Sequence, residues 1–212
     1  MSSAKDRLIR DFDVSRETLE KLEIYASLVE RWTRKINLIS AKSVPEIWHR
    51  HILDSAQLFP LLPIGFGTLA DFGSGAGFPG MVLALMRSGE SHQPAFHFVE
   101  SDQRKATFLR TVARETGTEV AVHATRIETL SPLSADVIMA RALAPLSTLL
   151  PFVKRHGHAG TKAMFLKGQT ASDEIEAAKT NWSFTCRQHP SITDPDAQII
   201  ELGDIRERRD AS

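Results

Sequence analysis

Apolar positions recur at helical spacing from Ser15 to Ile36, at Leu19, Leu22, Ala26, Val29 and Ile36, with Trp32 beside the stripe. Ser15 is placed as an N-cap, and Arg31, Arg34 and Lys35 gather at the end where cations suit the helix dipole. After a loop at 37–40, a second helix is predicted from Ser43, which has capping-box spacing to Glu46 with Pro45 in the first turn. It carries Ile47, Trp48, Ile52, Leu53 and Ala56 and stops before Pro60 and Pro63. From there the pattern changes. Short apolar runs at 69–71, 96–99, 120–123, 136–140 and 163–166 alternate with helical stretches, and two further strands are predicted at 182–188 and 198–202. Ser101 is read as the cap of the helical stretch after the second strand, Gly117 as its stop, Pro145 as the start of the next and Gly157 as its stop. Strands alternating with helices predict an α/β chain with an open, mostly parallel Rossmann-like sheet. The expected organisation is a helical extension over 1–63, the α/β domain over 64–205 and a frayed tail over 206–212.

The first strand of that domain runs into Asp71-Phe72-Gly73-Ser74-Gly75-Ala76-Gly77-Phe78-Pro79-Gly80. A strand that ends in a glycine-rich turn and feeds a helix opens a nucleotide-binding unit. Glycine there tolerates a positive φ and lets a ligand lie against the backbone. The dinucleotide fingerprint wants glycine at its first, third and sixth places, and Phe78 stands in the sixth. The spacing Gly73-x-Gly75-x-Gly77, preceded by Asp71, is instead similar to the first motif of class I S-adenosylmethionine methyltransferases. That ligand has no phosphate but carries an ammonium, which Asp71 is placed to meet.

Composition narrows the classes. The 212 residues are 42% hydrophobic and 25% charged, enough for a full core, and no apolar run approaches the roughly 20 residues of a membrane helix. The N-terminus lacks the apolar stretch of a secretory signal, and Cys186 is the only cysteine, so a reducing cytoplasm is expected. No metal-ligand spacing appears. Formal net charge is zero, which neither favours nor excludes a nucleic-acid partner, because local patches decide binding.

Candidate chemistry lies at strand ends. Glu100, closing the second strand, is placed to meet ribose hydroxyls. Ile127 and Glu128, after the third, offer adenine an apolar wall and an acceptor. Arg141 stands where the fourth strand opens, and Lys167 ends the fifth. Two features stay open on the residues alone. His49-Arg50-His51 can touch RNA phosphates or form a solvated face with one half-buried histidine. The cationic face of Arg104, Lys105, Arg110 and Arg114 is either solvated or part of an RNA surface.

Several stretches together resemble one family: Lys35-Ile36-Asn37-Leu38, His49 to Ser55, Asp71 to Gly80, Met139-Ala140-Arg141-Ala142 and Leu166-Lys167-Gly168-Gln169. The chain resembles the bacterial small-subunit ribosomal RNA methyltransferases of the RsmG (GidB) type, over about Leu19 to Leu202. The resemblance implies a class I fold, a seven-stranded sheet with one antiparallel strand near its edge. It also implies methyl transfer from S-adenosylmethionine to guanine N7 in the decoding-region loop of 16S rRNA. Carried over by position, it implies cofactor contacts at Gly73, Phe78, Ile127, Glu128 and Arg141, with Glu100 in the acidic ribose position.

Guanine N7 bears a lone pair and no hydrogen, so its methylation needs no general base. The catalytic candidates are therefore positioning groups, Arg141 and Lys167. The cofactor candidates are Asp71, Gly73, Gly75, Gly77, Phe78, Glu100, Ile127, Glu128 and Arg141, and the RNA candidates are Arg34, Lys35, His49, Arg50 and His51. The expected partner is 16S rRNA within the small ribosomal subunit or an assembly intermediate, met by a monomer away from membranes. Two other readings compete: a methyltransferase acting on another RNA, a protein or a small molecule, and a nucleotide-binding module without catalysis.

Overall fold

The inner strands are apolar at successive positions, so both of their faces have to be covered, as is usual for a parallel sheet. The computed structural model describes residues 3–89 and 93–208. Its strands are β1 (Thr68–Phe72), β2 (Ala95–Val99), β3 (Ala121–His123), β4 (Ala135–Arg141), β5 (Gly157–Lys167), β6 (Trp182–Pro190) and β7 (Gln198–Glu207). They form one sheet in the order β3-β2-β1-β4-β5-β7-β6. The pairs from β3 to β5 are parallel, while β7 runs antiparallel to both β5 and β6. The strand order reverses between β1 and β4, and such a switch point opens a crevice at the carboxyl ends of the strands.

Alternation sorts the core into two halves. Leu69, Phe98, Val137, Met139 and Met164 face one side, where they pack with the N-terminal helices and with α4 (Gly80–Arg87) and α5 (Gln103–Thr116). Ala70, Phe72, Ile138, Ala140 and Phe165 face the other, under α6 (Leu146–His156) and α7 (Ala171–Lys179). The long N-terminal helix α2 (Arg16–Ile36) has its predicted Ser15 cap, whose Oγ accepts from Thr18 N at 3.1 Å. Its buried stripe also includes Tyr25. Leu22, Tyr25, Ile52 and Leu53 belong to the same continuous core as the sheet face they cover.

Five local readings are corrected. A helix α1 (Ala4–Phe12) precedes α2, opened by a capping box between Ser3 and Asp6 and anchored by Leu8. The predicted helix from Ser43 is a 3-10 turn (Ala41–Glu46), a π-helical stretch (Trp48–Leu53) and one turn of α3 (Asp54–Ala56). Ser43 caps nothing there, because its hydroxyl donates to Ser40 O. Asp102, not Ser101, caps α5, since its carboxylate accepts from both Arg104 N and Lys105 N. Gly157 stops α6 as expected, but in an extended conformation, so β5 begins there and not at 163. Arg206 and Glu207 belong to β7, and Arg208 donates to the Trp182 and Asn181 carbonyls, so only 209–212 of the expected frayed tail are left, and they lie outside the described residues. Among the described residues, no helix is long and apolar enough to cross a membrane.

Candidate functional site

The chain turns sharply at the end of β1. Gly73, Gly75 and Gly77 all adopt positive φ, a region that side chains rarely enter. Gly80 has ordinary φ, but a Cβ on it would lie 2.7 Å from Asp71 Oδ2 and 2.8 Å from Phe98, so glycine is needed there for close packing. The turn is braced from both sides. Tyr25 donates its hydroxyl to Ala76 O at 2.6 Å, and Glu100 accepts from Gly75 N and Asp102 N, both at 2.8 Å.

A cavity of about 450 Å³ opens beside this turn. Gly73, Gly75, Glu100, Ile127, Glu128 and Arg141 are among its walls, so six of the nine cofactor candidates converge there from four strand ends. Lys105, read in the sequence only as part of a cationic face, also lines it, together with Leu143, Thr148 and Phe152, which nothing in their local sequence marked. Two glycines expose backbone, a carboxylate stands at the second strand's end, and an apolar residue and an acid follow the third. This donor set suits a nucleoside with a charged amino-acid tail, and the volume lies in the range of small-molecule sites.

The other three candidates lie behind or beside that cavity. Gly77 faces Tyr25 and Leu109. Asp71 is only 1% exposed beneath the turn, with Oδ2 accepting from Gly80 N and Oδ1 lacking a partner among the described residues. Burial, partly offset by that hydrogen bond and by the Arg141 charge, raises its pKa to about 7. Phe78 points away from the glycine side and carries two groups on its ring, the His51 imidazole at 5.0 Å and the Arg141 guanidinium at 5.0 Å.

Arg141 stands between this cavity and a second one of about 590 Å³, and both are lined by Arg141 and Ala142. The second is enclosed by Ser43, His51 and Asp54 on one side, by Leu166 and Lys167 at the end of β5, and by Ser191 and Gln198 from the β6–β7 hairpin. An arginine can only donate, so His51 Nδ1, 3.1 Å from Arg141 Nη2, is the acceptor. The histidine proton is then on Nε2, which donates to Ser43 Oγ at 3.0 Å. Burial, with the charges of Arg141 and Arg50, pushes the His51 pKa down to about 4. His51 is thus a neutral inner residue, while His49 and Arg50 of the same motif are exposed.

Lys167 is committed locally. It donates to Ala144 O and pairs with Glu174 Oε2 at 2.7 Å, and that carboxylate also accepts from Leu146 N. This ties the loop after β4 to the ends of β5 and α7 and leaves the ammonium one further donor. Arg34 and Lys35 are exposed at the end of α2, and Lys35 lines a separate groove with Arg31, Trp32 and Glu115.

A family model described as rRNA small subunit methyltransferase G matches residues 18–200. The chain belongs to that family. It is 48% identical over 204 residues to the ribosomal RNA small subunit methyltransferase G of Paramagnetospirillum magneticum, covering 96% of this chain and 97% of the relative. With the protein of the same name from Cereibacter sphaeroides it shares 50% over 190 residues, covering 90% and 91%. Among solved structures it is similar to a TehB-like SAM-dependent methyltransferase from Corynebacterium glutamicum, at 13% identity and a TM-score of 0.57 over 86% of this chain and 98% of that one. A SAM-dependent methyltransferase from Aquifex aeolicus gives a TM-score of 0.57 at 13% identity, over 74% and 92%. At such identities the likeness concerns the fold, a seven-stranded, mostly parallel sheet with flanking helices. The methyltransferase G match spans the second cavity as well as the glycine turn, including the His49 to Ser55 stretch.

Proposed function

We propose that this chain transfers the methyl group of S-adenosylmethionine to N7 of a guanine in the decoding-region loop of 16S rRNA. The observation that supports this most is the pair of cavities meeting at Arg141, one suited to a nucleoside donor and the other open to a base. On this reading Gly73 and Gly75 bear on the amino-acid tail, Glu100 accepts from the ribose hydroxyls, and Ile127 and Glu128 flank the adenine. Asp71 acts from beneath, holding Gly80 N and setting the charge under the turn. The bound cofactor supplies a methyl activated by a sulfonium.

The protein's own contribution is placement. N7 has no proton to remove, so the groups around Arg141 need not titrate, and aligning nucleophile with methyl supplies a large share of the rate. Arg141 donates to a guanine oxygen and leaves N7 free, and Lys167 offers its remaining donor to the base or its phosphate. The target base is unstacked to enter the second cavity. The exposed side chains of Arg34, Lys35, His49 and Arg50 meet RNA phosphates, and His51, neutral and turned inward, supports Arg141. The protein acts as a cytoplasmic monomer on the small subunit or its assembly intermediate.

A labelled-methyl assay tests this, offering assembled small subunits, naked 16S rRNA and bulk protein. Label is expected in subunit RNA, and mapping of modified guanines in cells lacking the protein should show one site lost. Label in protein alone, or an unchanged guanine map, overturns the reading. Calorimetry with S-adenosylmethionine and with NAD separates the module without catalysis, which would favour NAD.

A further inference from the structure

Asp54 was assigned no role by sequence, yet it is the point at which three distant parts of the chain meet. Its Oδ2 lies 3.5 Å from Arg141 Nη1, and its side chain is mostly buried. Its Oδ1 accepts from Thr193 Oγ at 2.6 Å and from Gln57 Nε2 at 2.8 Å, with Ser191 Oγ at 3.5 Å. Gln57 then receives Ile192 N at 2.9 Å on its Oε1. One carboxylate therefore faces the arginine with one oxygen and fastens the β6–β7 hairpin turn with the other.

The guanidinium is held on three sides. Asp54 takes one Nη, the neutral imidazole of His51 takes the other, and the Phe78 ring supports its face. One of its five N–H donors goes to His51 and another faces Asp54 across an ion pair, and the rest remain for a ligand. Without Asp54 the arginine keeps its strand but loses the group that fixes its rotation.

We propose that Asp54 is a positioning residue for methyl transfer. It locks Arg141 at the boundary of the two cavities and, through Thr193, sets the hairpin turn that walls the second one. Its part in catalysis rests on the function proposed above, whereas the locking of Arg141 does not.

The test uses the full chain with Asp54→Ala, Asp54→Asn and Thr193→Ala. For Asp54→Ala, turnover on small subunits is expected to fall by about 100-fold, the cost of an ångström-scale misplacement, with S-adenosylmethionine affinity by calorimetry unchanged. Asp54→Asn, which keeps an acceptor oxygen, restores part of kcat. Thr193→Ala raises KM for the subunit and spares kcat. NMR with nitrogen-15 arginine reads the locking directly: separate Nη signals for Arg141 in the parent protein and merged ones in the alanine variant. Wild-type-like turnover in Asp54→Ala, or a loss matched by weaker cofactor binding, overturns the proposal. If Asp54→Ala does not fold, Asp54→Asn decides, and unrestricted Arg141 in the parent spectrum overturns the locking. If the parent protein methylates no RNA while its Arg141 signals behave as expected, the functional reading fails and the locking stands.

Discussion

On the glycine side of Arg141 the cavity walls come from the ends of β1, β2, β3 and β4, the turns just after them and one face of α6. On the other side they come from three remote stretches, 40–57, 166–167 and 191–199, the first and last joined by Asp54, Gln57 and Thr193 across more than 130 residues and the middle one paired to β7. The first wall follows from strand order, because parallel strands at a switch point open their carboxyl ends together. The second depends on side chains finding one another. A damaging change on one side should therefore spare the other, except at the residue they share.

Arg141→Ala should break both sides at once. Methyl transfer is expected to fall on the order of 100-fold or more, as alignment is lost. Asp54 is left without its cation, at about 2 kcal/mol, less than for a fully buried pair because both side chains are partly exposed. Turnover and urea unfolding measure the two effects, and near-normal turnover would end the idea of a shared boundary.

Leu8→Ala removes a fully buried side chain from α1, which packs on the 48–53 stretch and reaches Ile192 O through Arg7. About 3 kcal/mol of stability should be lost. Partial detachment of α1 should weaken subunit methylation while cofactor affinity holds. Equal losses of the two would show that the sides are not independent.

Gly77→Ala is the converse. Its φ is +95°, and the new Cβ would lie 2.9 Å from the Tyr25 hydroxyl that braces the turn. Crowding should cost about 1–3 kcal/mol and weaken cofactor binding, with RNA binding retained in a shift assay.

The smallest effect concerns pH, and its sign differs between the sides. Burial lets Asp71 keep its proton up to about pH 7 when folded, against the usual 3.8 when unfolded. Between those values the folded state binds more protons, so this group lowers stability as pH rises. Asp71→Asn removes that loss, and its melting temperature relative to the parent should climb from about pH 4 to about pH 7 and then level off. His51 has its folded pKa near 4, below the usual 6.5, so its share of stability is lost as pH falls through that window. A His51→Gln variant should flatten the acid side alone.

Local rules failed where a side chain had a better distant partner. The Ser43–Glu46 spacing suggests a capping box, but the Ser43 hydroxyl is taken by Ser40 O and the His51 ring. Ser101 reads as the cap, but Asp102 takes the place, because its carboxylate accepts two backbone N–H groups. The apolar stripe of α1, Ala4, Leu8 and Phe12, has helical spacing but only three members, a shorter signal than the stripe of α2.

The sequence alone was enough for the strand–turn–helix unit at Asp71 to Gly80, for the placing of Glu100, Ile127, Glu128 and Arg141 at successive strand ends, and for the family. These depend on glycine's backbone freedom, on alternation and on chain order, which neighbouring residues carry among themselves. Only the tertiary structure decided that His51 is a neutral acceptor, that Lys167 is tied to Glu174, and that Asp54 joins Arg141 to Thr193. Each of those depends on burial and on partners brought close by the closing of the sheet and its hairpin. Such contacts leave no periodic trace in the chain.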